Sequence, residues 1–229
     1  MSEAFFVTGT DTGAGKTLVT AALLHAAGQR GQRSLGLKPL ASGSERFSDG
    51  KLYNEDALTL QQAASIKLPY DAVNAISLEP AIAPHLAAQE SGLRLTAHDL
   101  AAHCRGQMGH GHDLLLVEGA GGWRVPLNES ETLADVARML GLPVILVVGM
   151  RLGCVNHAVL SAEAITRDGL RLAAWVGSQI DPEMSRVEQN FRTLEARLGA
   201  PCLGFIAHRP GIGFADAAQS LDPDRLPGA

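Results

Sequence analysis

Nine residues near the start of the chain, Gly9-Thr10-Asp11-Thr12-Gly13-Ala14-Gly15-Lys16-Thr17, have the composition of a polyphosphate cradle. Glycines let backbone N–H groups wrap phosphate oxygens, Lys16 sets a point charge against the outer phosphates, and the Thr17 hydroxyl suits Mg²⁺. A helical pattern follows at once, so the positive end of a helix dipole points at the same place. An apolar run precedes the glycines, completing the strand, loop and helix that a P-loop requires. The strict pattern leaves four residues between its first glycine and Gly-Lys-Thr. Here five intervene between Gly9 and Gly15 and Thr10 holds the strict position, so the loop is a variant.

Other charged residues fall where such a loop needs them. Glu118 closes an apolar run and is followed by Gly119-Ala120-Gly121-Gly122. An acid at the carboxyl end of a buried strand sits where open α/β sheets bind ligands, within reach of Mg²⁺ directly or through water. Lys38 ends the second apolar run, ahead of Pro39-Leu40-Ala41-Ser42-Gly43. A lone strand-end lysine is usually solvated, but a neighbour of Lys16 is placed to meet an anion formed there. Asp56, in Asn54-Glu55-Asp56-Ala57-Leu58, is accounted for by spacing alone as a cap or first-turn acid of a helix. Gly153-Cys154-Val155-Asn156 lies between a strand and a helix, so its free N–H groups form an anion site with Asn156 as the expected N-cap. His110-Gly111-His112 lacks a third ligand at credible spacing for a metal, and His85, His157 and His208 have surface or packing explanations.

The elements that must hold these groups are legible as short apolar runs at 4–8, 34–37, 113–117, 143–148, 172–176 and 202–206, read as buried strands. Longer stretches at 16–27, 96–108, 132–140, 156–168 and 186–198 have helical spacing. Strand–helix alternation implies an α/β fold, a mostly parallel sheet with helices on both faces. The 229 residues suit one P-loop domain. Segments 40–52 and 71–92, rich in Ser, Gly, Pro and Asn, read as long substrate-side loops. The stretch 215–229 carries no periodicity and either covers the nucleotide or frays.

Composition narrows the partners. A net charge of −5 and 4% aromatic residues leave no basic stripe or stacking platform for nucleic acid. The chain has no apolar run of the roughly 20 residues that span a bilayer. The first residues lack the basic flank of a signal peptide, and the three cysteines are scattered, so a reduced cytoplasmic protein acting on small molecules is expected.

Several motifs in order are more specific than any one of them. They are the loop from Val7 to Thr17, Lys38-Pro39 with Ala41-Ser42-Gly43-Ser44, Val117-Glu118-Gly119-Ala120-Gly121-Gly122-Trp123, and Val147-Val148-Gly149 with Leu152-Gly153-Cys154-Val155-Asn156-His157. Glu79-Pro80 and Pro84-His85 add to them, and the similarity runs from Phe6 to about Val176. Together they resemble bacterial dethiobiotin synthetases. The resemblance implies a homodimer that converts 7,8-diaminononanoate, CO₂ and MgATP to dethiobiotin, ADP and phosphate. By the same resemblance, Lys38, Ser42 and Thr12 hold the substrate with Gly153, Cys154 and Asn156 of the partner copy, and Lys16 and Lys38 serve the chemistry. Thr17, Asp56 and Glu118 gather round Mg²⁺. Nucleotide contacts are implied along Gly13, Ala14, Gly15, Lys16, Thr17 and Leu18, and at Gly119, Ala120 and Gly121.

The sequence departs from that family at the base end. Gly13 stands where an acid is common, Ser178-Gln179 where an asparagine usually recognises adenine, and Ala207-His208-Arg209 follows Ile206 where Ile-Pro is expected. Two rival readings share the loop. An amide-forming ligase of the cobyrinic acid diamide type is expected to carry a further glutaminase domain, and a partitioning or metallochaperone ATPase is expected to have its signature lysine where Asp11 stands.

Overall fold

A computed structural model of the chain describes residues 3–226. Six strands form one sheet: β1 (Glu3–Gly9), β2 (Ser34–Leu37), β3 (Leu114–Gly122), β4 (Val144–Met150), β5 (Leu172–Gln179) and β6 (Cys202–Ile206). Their order is β6-β5-β4-β1-β3-β2, and every pairing is parallel. The connecting helices are α1 (Lys16–Gln29), α2 (Glu55–Ala63), α3 (Pro84–Glu90), α4 (Ala97–Gln107), α5 (Leu133–Leu140), α6 (Cys154–Arg167), α7 (Val187–Arg197) and α8 (Phe214–Ala218), with a one-turn helix, Tyr70–Val73, between α2 and α3.

Strand pleating divides the core by residue parity. Phe5, Val7, Ile145 and Val147 face α1 and α8 through Val19, Leu23 and Ala217. Phe6, Leu115 and Val117 face α4 and α5 through Leu100 and Val136. Leu146, Val148 and Trp175 meet Ala158 of α6 and Leu194 of α7. β2 and β4 are buried along their whole length, as a sheet covered on both faces requires. The chain runs from β1 to the edge at β2, returns to β3, then crosses β1 to reach β4. The loop after β1 therefore opens at the topological switch point, where such sheets bind ligands.

The expected strands and helices all form, with shifted ends. Thr96 and Thr132 are the N-caps of α4 and α5, not their first residues. β3 runs on through Glu118 to Gly122, its register against β1 shifting between Val7 and Gly9. α6 begins at Cys154, so Asn156 is not its cap; Gly153 holds that position with φ 95°. Only glycine enters that left-handed conformation at little cost, which lets β4 turn straight into the helix. The segments expected as loops carry α3, a parallel pair (Leu40–Ser42 with Ile76–Leu78) and an antiparallel one (Glu45–Arg46 with Leu52–Tyr53).

From α8 onward the chain docks on α1 and β6. α8 lies on α1, and Ala217, Leu221 and Leu226 join the core beneath it. Leu221 bridges Gly204 of β6, the Asp222 N–H donates to the Leu203 carbonyl at 2.7 Å, and Asp224 pairs with Arg30 at 2.7 Å. Gly204 is required there: at φ 148°, a Cβ would stand 2.1 Å from the Ser220 carbonyl oxygen. Residues 215–226 thus form a strap across α1 and β6, and 227–229 lie outside the described residues. No helix among the described residues is long and apolar enough to cross a membrane.

Candidate active site

The loop between β1 and α1 is pinned to β4. The Thr10 N–H donates to the Val147 carbonyl at 2.9 Å, and the Thr10 hydroxyl accepts from the Gly149 N–H at 3.1 Å. Ala14 is fully buried against Gly149, where a Cβ would come within 3.1 Å of the Ala14 Cα. Gly15 has φ 88°, and a Cβ there would fall 2.4 Å from the Ser178 hydroxyl. Asp11 pairs with Arg151 of the next loop. The Lys16 ammonium donates to the Asp11 carbonyl at 3.0 Å and is nearly buried. Burial and then repulsion from Lys38 push its pKa down to about 8, against the pull of Glu118, Asp56 and Asp11.

Beneath Lys16 lies a second charged group. Lys38, 2% exposed at the end of β2, meets Glu118 Oε1 at 2.6 Å, Asp56 Oδ2 at 3.0 Å and the Gly119 carbonyl at 2.9 Å. Burial alone lowers the Lys38 pKa, but the two carboxylates and their hydrogen bonds outweigh it and leave it raised. Burial likewise opposes ionisation of Asp56, yet Lys38, Thr17 and Lys16 hold its carboxyl below the usual range. The Thr17 hydroxyl donates to Glu118 Oε1 at 2.9 Å, while Glu118 Oε2 is buried with no partner. An orphaned carboxylate oxygen beside Asp56 and a threonine hydroxyl is an all-oxygen donor set, the kind that suits a hard divalent cation. Asp56 is also the first-turn acid that its spacing suggests: Asn54 caps α2 by accepting from the Asp56 and Ala57 N–H groups.

These groups line a cleft of about 750 Å³. One side is Thr12, Gly13 and Gly15 to Leu18 with Lys38, Ser42, Asp56, Ala120 and Gly121; the other is apolar, formed by residues 81–84, Val125 and Pro126. The Ser42 hydroxyl is buried and unpartnered. Neither a histidine nor a cysteine lines the cleft. A second cavity, about 360 Å³, opens on the far side of Gly13 and Gly15, between Leu18, Ser178, Gln179, Ile180 and residues 206–212. It gathers Ala207, His208 and Arg209 as expected, but Ser178 is buried with its hydroxyl against Gly15. The Gln179 amide is engaged, accepting from the His208 N–H and donating to the Asp181 carbonyl, both at 3.3 Å.

Gly153, Cys154 and Asn156 line neither cavity. Gly153 and Asn156 are exposed beside Leu152, which is 91% exposed, and burial raises the Cys154 pKa. His110 is exposed in a 3₁₀ turn and His112 is buried, so the pair does not converge on the cleft.

A family model described as an AAA domain matches residues 3–215. The ATP-dependent dethiobiotin synthetase BioD of Marinobacter nauticus is 57% identical over 216 residues, 94% of this chain and 91% of that protein. The protein of the same name from Pseudomonas paraeruginosa is 55% identical over 219 residues, 96% of each chain. This chain belongs to the dethiobiotin synthetase family.

Solved structures outside the dethiobiotin synthetases share the fold alone. The MinC:MinD cell division complex of Aquifex aeolicus aligns with TM-score 0.55 at 15% identity, over 95% of this chain and 86% of that one. Chloroplast FtsY from Physcomitrella patens aligns with TM-score 0.53 at 14% identity over 94% of this chain, which spans 61% of that chain. Sequence reasoning placed residues 81–83 within the substrate-side loop 71–92, between Glu79-Pro80 and Pro84-His85, without naming them, and it missed Val125, Pro126 and 210–212, which carry no charge pattern.

Proposed function

We propose that the chain closes the ureido ring of dethiobiotin from 7,8-diaminononanoate, CO₂ and ATP. The observation that carries this is Lys38: a buried ammonium beside the phosphate loop, facing a cleft that holds no histidine or cysteine base. Carbamate formation and phosphoryl transfer call for fixed positive charge more than for a proton acceptor.

One amine of the substrate adds to CO₂ and loses a proton, giving a carbamate. Lys38 and the unpartnered Ser42 hydroxyl hold its oxygens. A carbamate oxygen attacks the γ-phosphorus and ADP departs, while Lys16 and the loop N–H groups take up the charge that develops. The second amine then attacks the carbamoyl carbon, loses its proton, and expels phosphate as the ring closes. Mg²⁺ fits Thr17, Asp56 and Glu118, whose orphaned Oε2 has no partner among the described residues; when bound, it would neutralise phosphate oxygens. The apolar wall at 81–84 and 125–126 suits the aliphatic chain of the diamine.

The exposed first turn of α6 favours a homodimer, and the three free, buried cysteines favour a reducing compartment, the cytoplasm. The Cys154 N–H is engaged by the Arg151 carbonyl at 3.0 Å, which leaves the Val155 and Asn156 N–H groups to receive the substrate carboxylate across an interface, and Leu152 and Leu160 stand exposed beside them. A monomeric mass in solution removes this part of the proposal.

The decisive experiment is phosphate release by pure protein with ATP, Mg²⁺ and bicarbonate, with and without the diamine. Diamine-dependent release is expected, and release indifferent to diamine overturns the assignment. Lys38→Gln should lose about 10²-fold in turnover, as for removal of one donor to a developing oxyanion, yet keep its nucleotide in a binding assay.

A further inference from the structure

Lys38, Ser42 and Asp56 sit on three separate elements, and the chain has a buried device that ties those elements to one another. Lys38 ends β2, Ser42 ends the short strand Leu40–Ser42, and Asp56 lies in the first turn of α2. Beside them, on the side away from the P-loop, a set of uncharged polar side chains meets at the Tyr70 hydroxyl. The Asn54 N–H donates to that hydroxyl at 2.7 Å. The hydroxyl lies 3.1 Å from Asn74 Oδ1 and 3.0 Å from the Ser77 hydroxyl, which itself donates to Asn74. The Asn74 amide donates to the Lys38 carbonyl. On the other side, the Asn54 amide donates to the Ser42 carbonyl at 3.3 Å, and its oxygen caps the Asp56 and Ala57 N–H groups. The Lys38 N–H completes the circuit by donating to the Val73 carbonyl at 2.9 Å.

We infer that Tyr70 and Asn74 are positioning residues for the reaction, setting Lys38 against Asp56 and Ser42 without touching substrate. Asn54 and Asn74 are 5% and 3% exposed, so their amides have no ready exchange with water and each bond fixes a distance. The Tyr53 ring, 4.6 Å from that of Tyr70, holds the phenol from the outside. The bonds do not reach Lys16 or the loop glycines, which hang instead on β4 through Thr10. Phosphate binding and carbamate alignment thus hang on different supports that meet only at Glu118 and Asp56 beside Thr17, so loosening the Tyr70 path is expected to leave Lys16 and the loop glycines in place.

The inference rests on the proposed ring closure and is tested with it. Tyr70→Phe removes one oxygen and keeps the ring. Its turnover per nucleotide-binding site, measured as diamine-dependent phosphate, is expected to fall about ten- to a hundredfold, the effect of a small misplacement of reacting groups. Its Kd for ADP without divalent cation should stay within about twofold of wild type. Asn74→Ala should behave alike, and the double variant should lose little more than either single one, because both cut the same path. A purely structural role would lower the melting temperature while leaving turnover per binding site unchanged, and that result overturns the inference. So does a fall in turnover matched by lost ADP affinity. If Tyr70→Phe does not fold, Ser77→Ala is read the same way, with a drop of about threefold expected and an unchanged rate counting against the inference. A wild-type protein inactive with diamine overturns the proposed reaction itself, and this inference with it, and is recognisable because it needs no variant.

Discussion

Lys16 carries a proton that burial and Lys38 discourage, against the pull of Glu118, Asp56 and Asp11. Burial and Lys38 hold its pKa at about 8 before any phosphate arrives, whereas a bound polyphosphate favours the charged form. As pH rises through 8 the nucleotide-free side chain loses its proton, and nucleotide binding must then restore it. Calorimetry in buffers of different ionisation enthalpy should record proton uptake on ATP binding near pH 8.5 and much less of it near pH 7. Lys16→Arg should abolish the uptake, since a guanidinium stays charged throughout; equal uptake at both pH values would place the proton elsewhere. At this scale the P-loop, Glu118 and Lys38 were legible because each interrupts an apolar run with a charge. Asp56 was legible only through the family resemblance, because its spacing is that of any first-turn acid, and the 3.0 Å contact with Lys38 adds a second role to that one. Asn156 misled for the converse reason: a good capping residue stood near a helix start that a left-handed glycine had already made.

The elements that periodicity marks are those that bury a whole face, and the sheet with its long helices follows from that pattern. α2 and α3 each bury only three apolar residues (Ala57, Leu60 and Ala63; Pro84, Ala87 and Ala88), and the two- and three-residue strands are too short for alternation to register. The loop from Ile206 to Ile212 belongs with them, and it bears on nucleotide choice. The Ser178 hydroxyl is turned to Gly15 and the Gln179 amide is already bonded, so among the described residues of this cavity no free side-chain amide is placed to read the adenine amino group and its neighbouring ring nitrogen together. One missing hydrogen bond is worth on the order of 0.5–1.5 kcal/mol, about threefold to tenfold in discrimination. ATP, CTP and GTP should therefore support turnover within about tenfold of one another in kcat/KM. A preference for ATP above about a hundredfold would show that backbone groups of the 207–212 loop read the base unaided.

Across the whole molecule, the strap formed by residues 215–226 couples two places that the sheet keeps apart. It lies on α1, whose first turn holds Lys16 and Thr17, and it bridges β6, from which the wall of the base cavity departs. Nucleotide seated between α1 and that wall stabilises the arrangement the strap grips, so occupancy and strap docking share one equilibrium. Ligand at about a hundred times its Kd adds about 2.7 kcal/mol to a folded state it alone recognises. If local opening of the strap is such an event, its rate of clipping by a dilute protease should fall about a hundredfold when ATP is bound. The last stretch of chain would then act as a gauge of nucleotide loading, read from the outside of the molecule by an enzyme that never meets the phosphates.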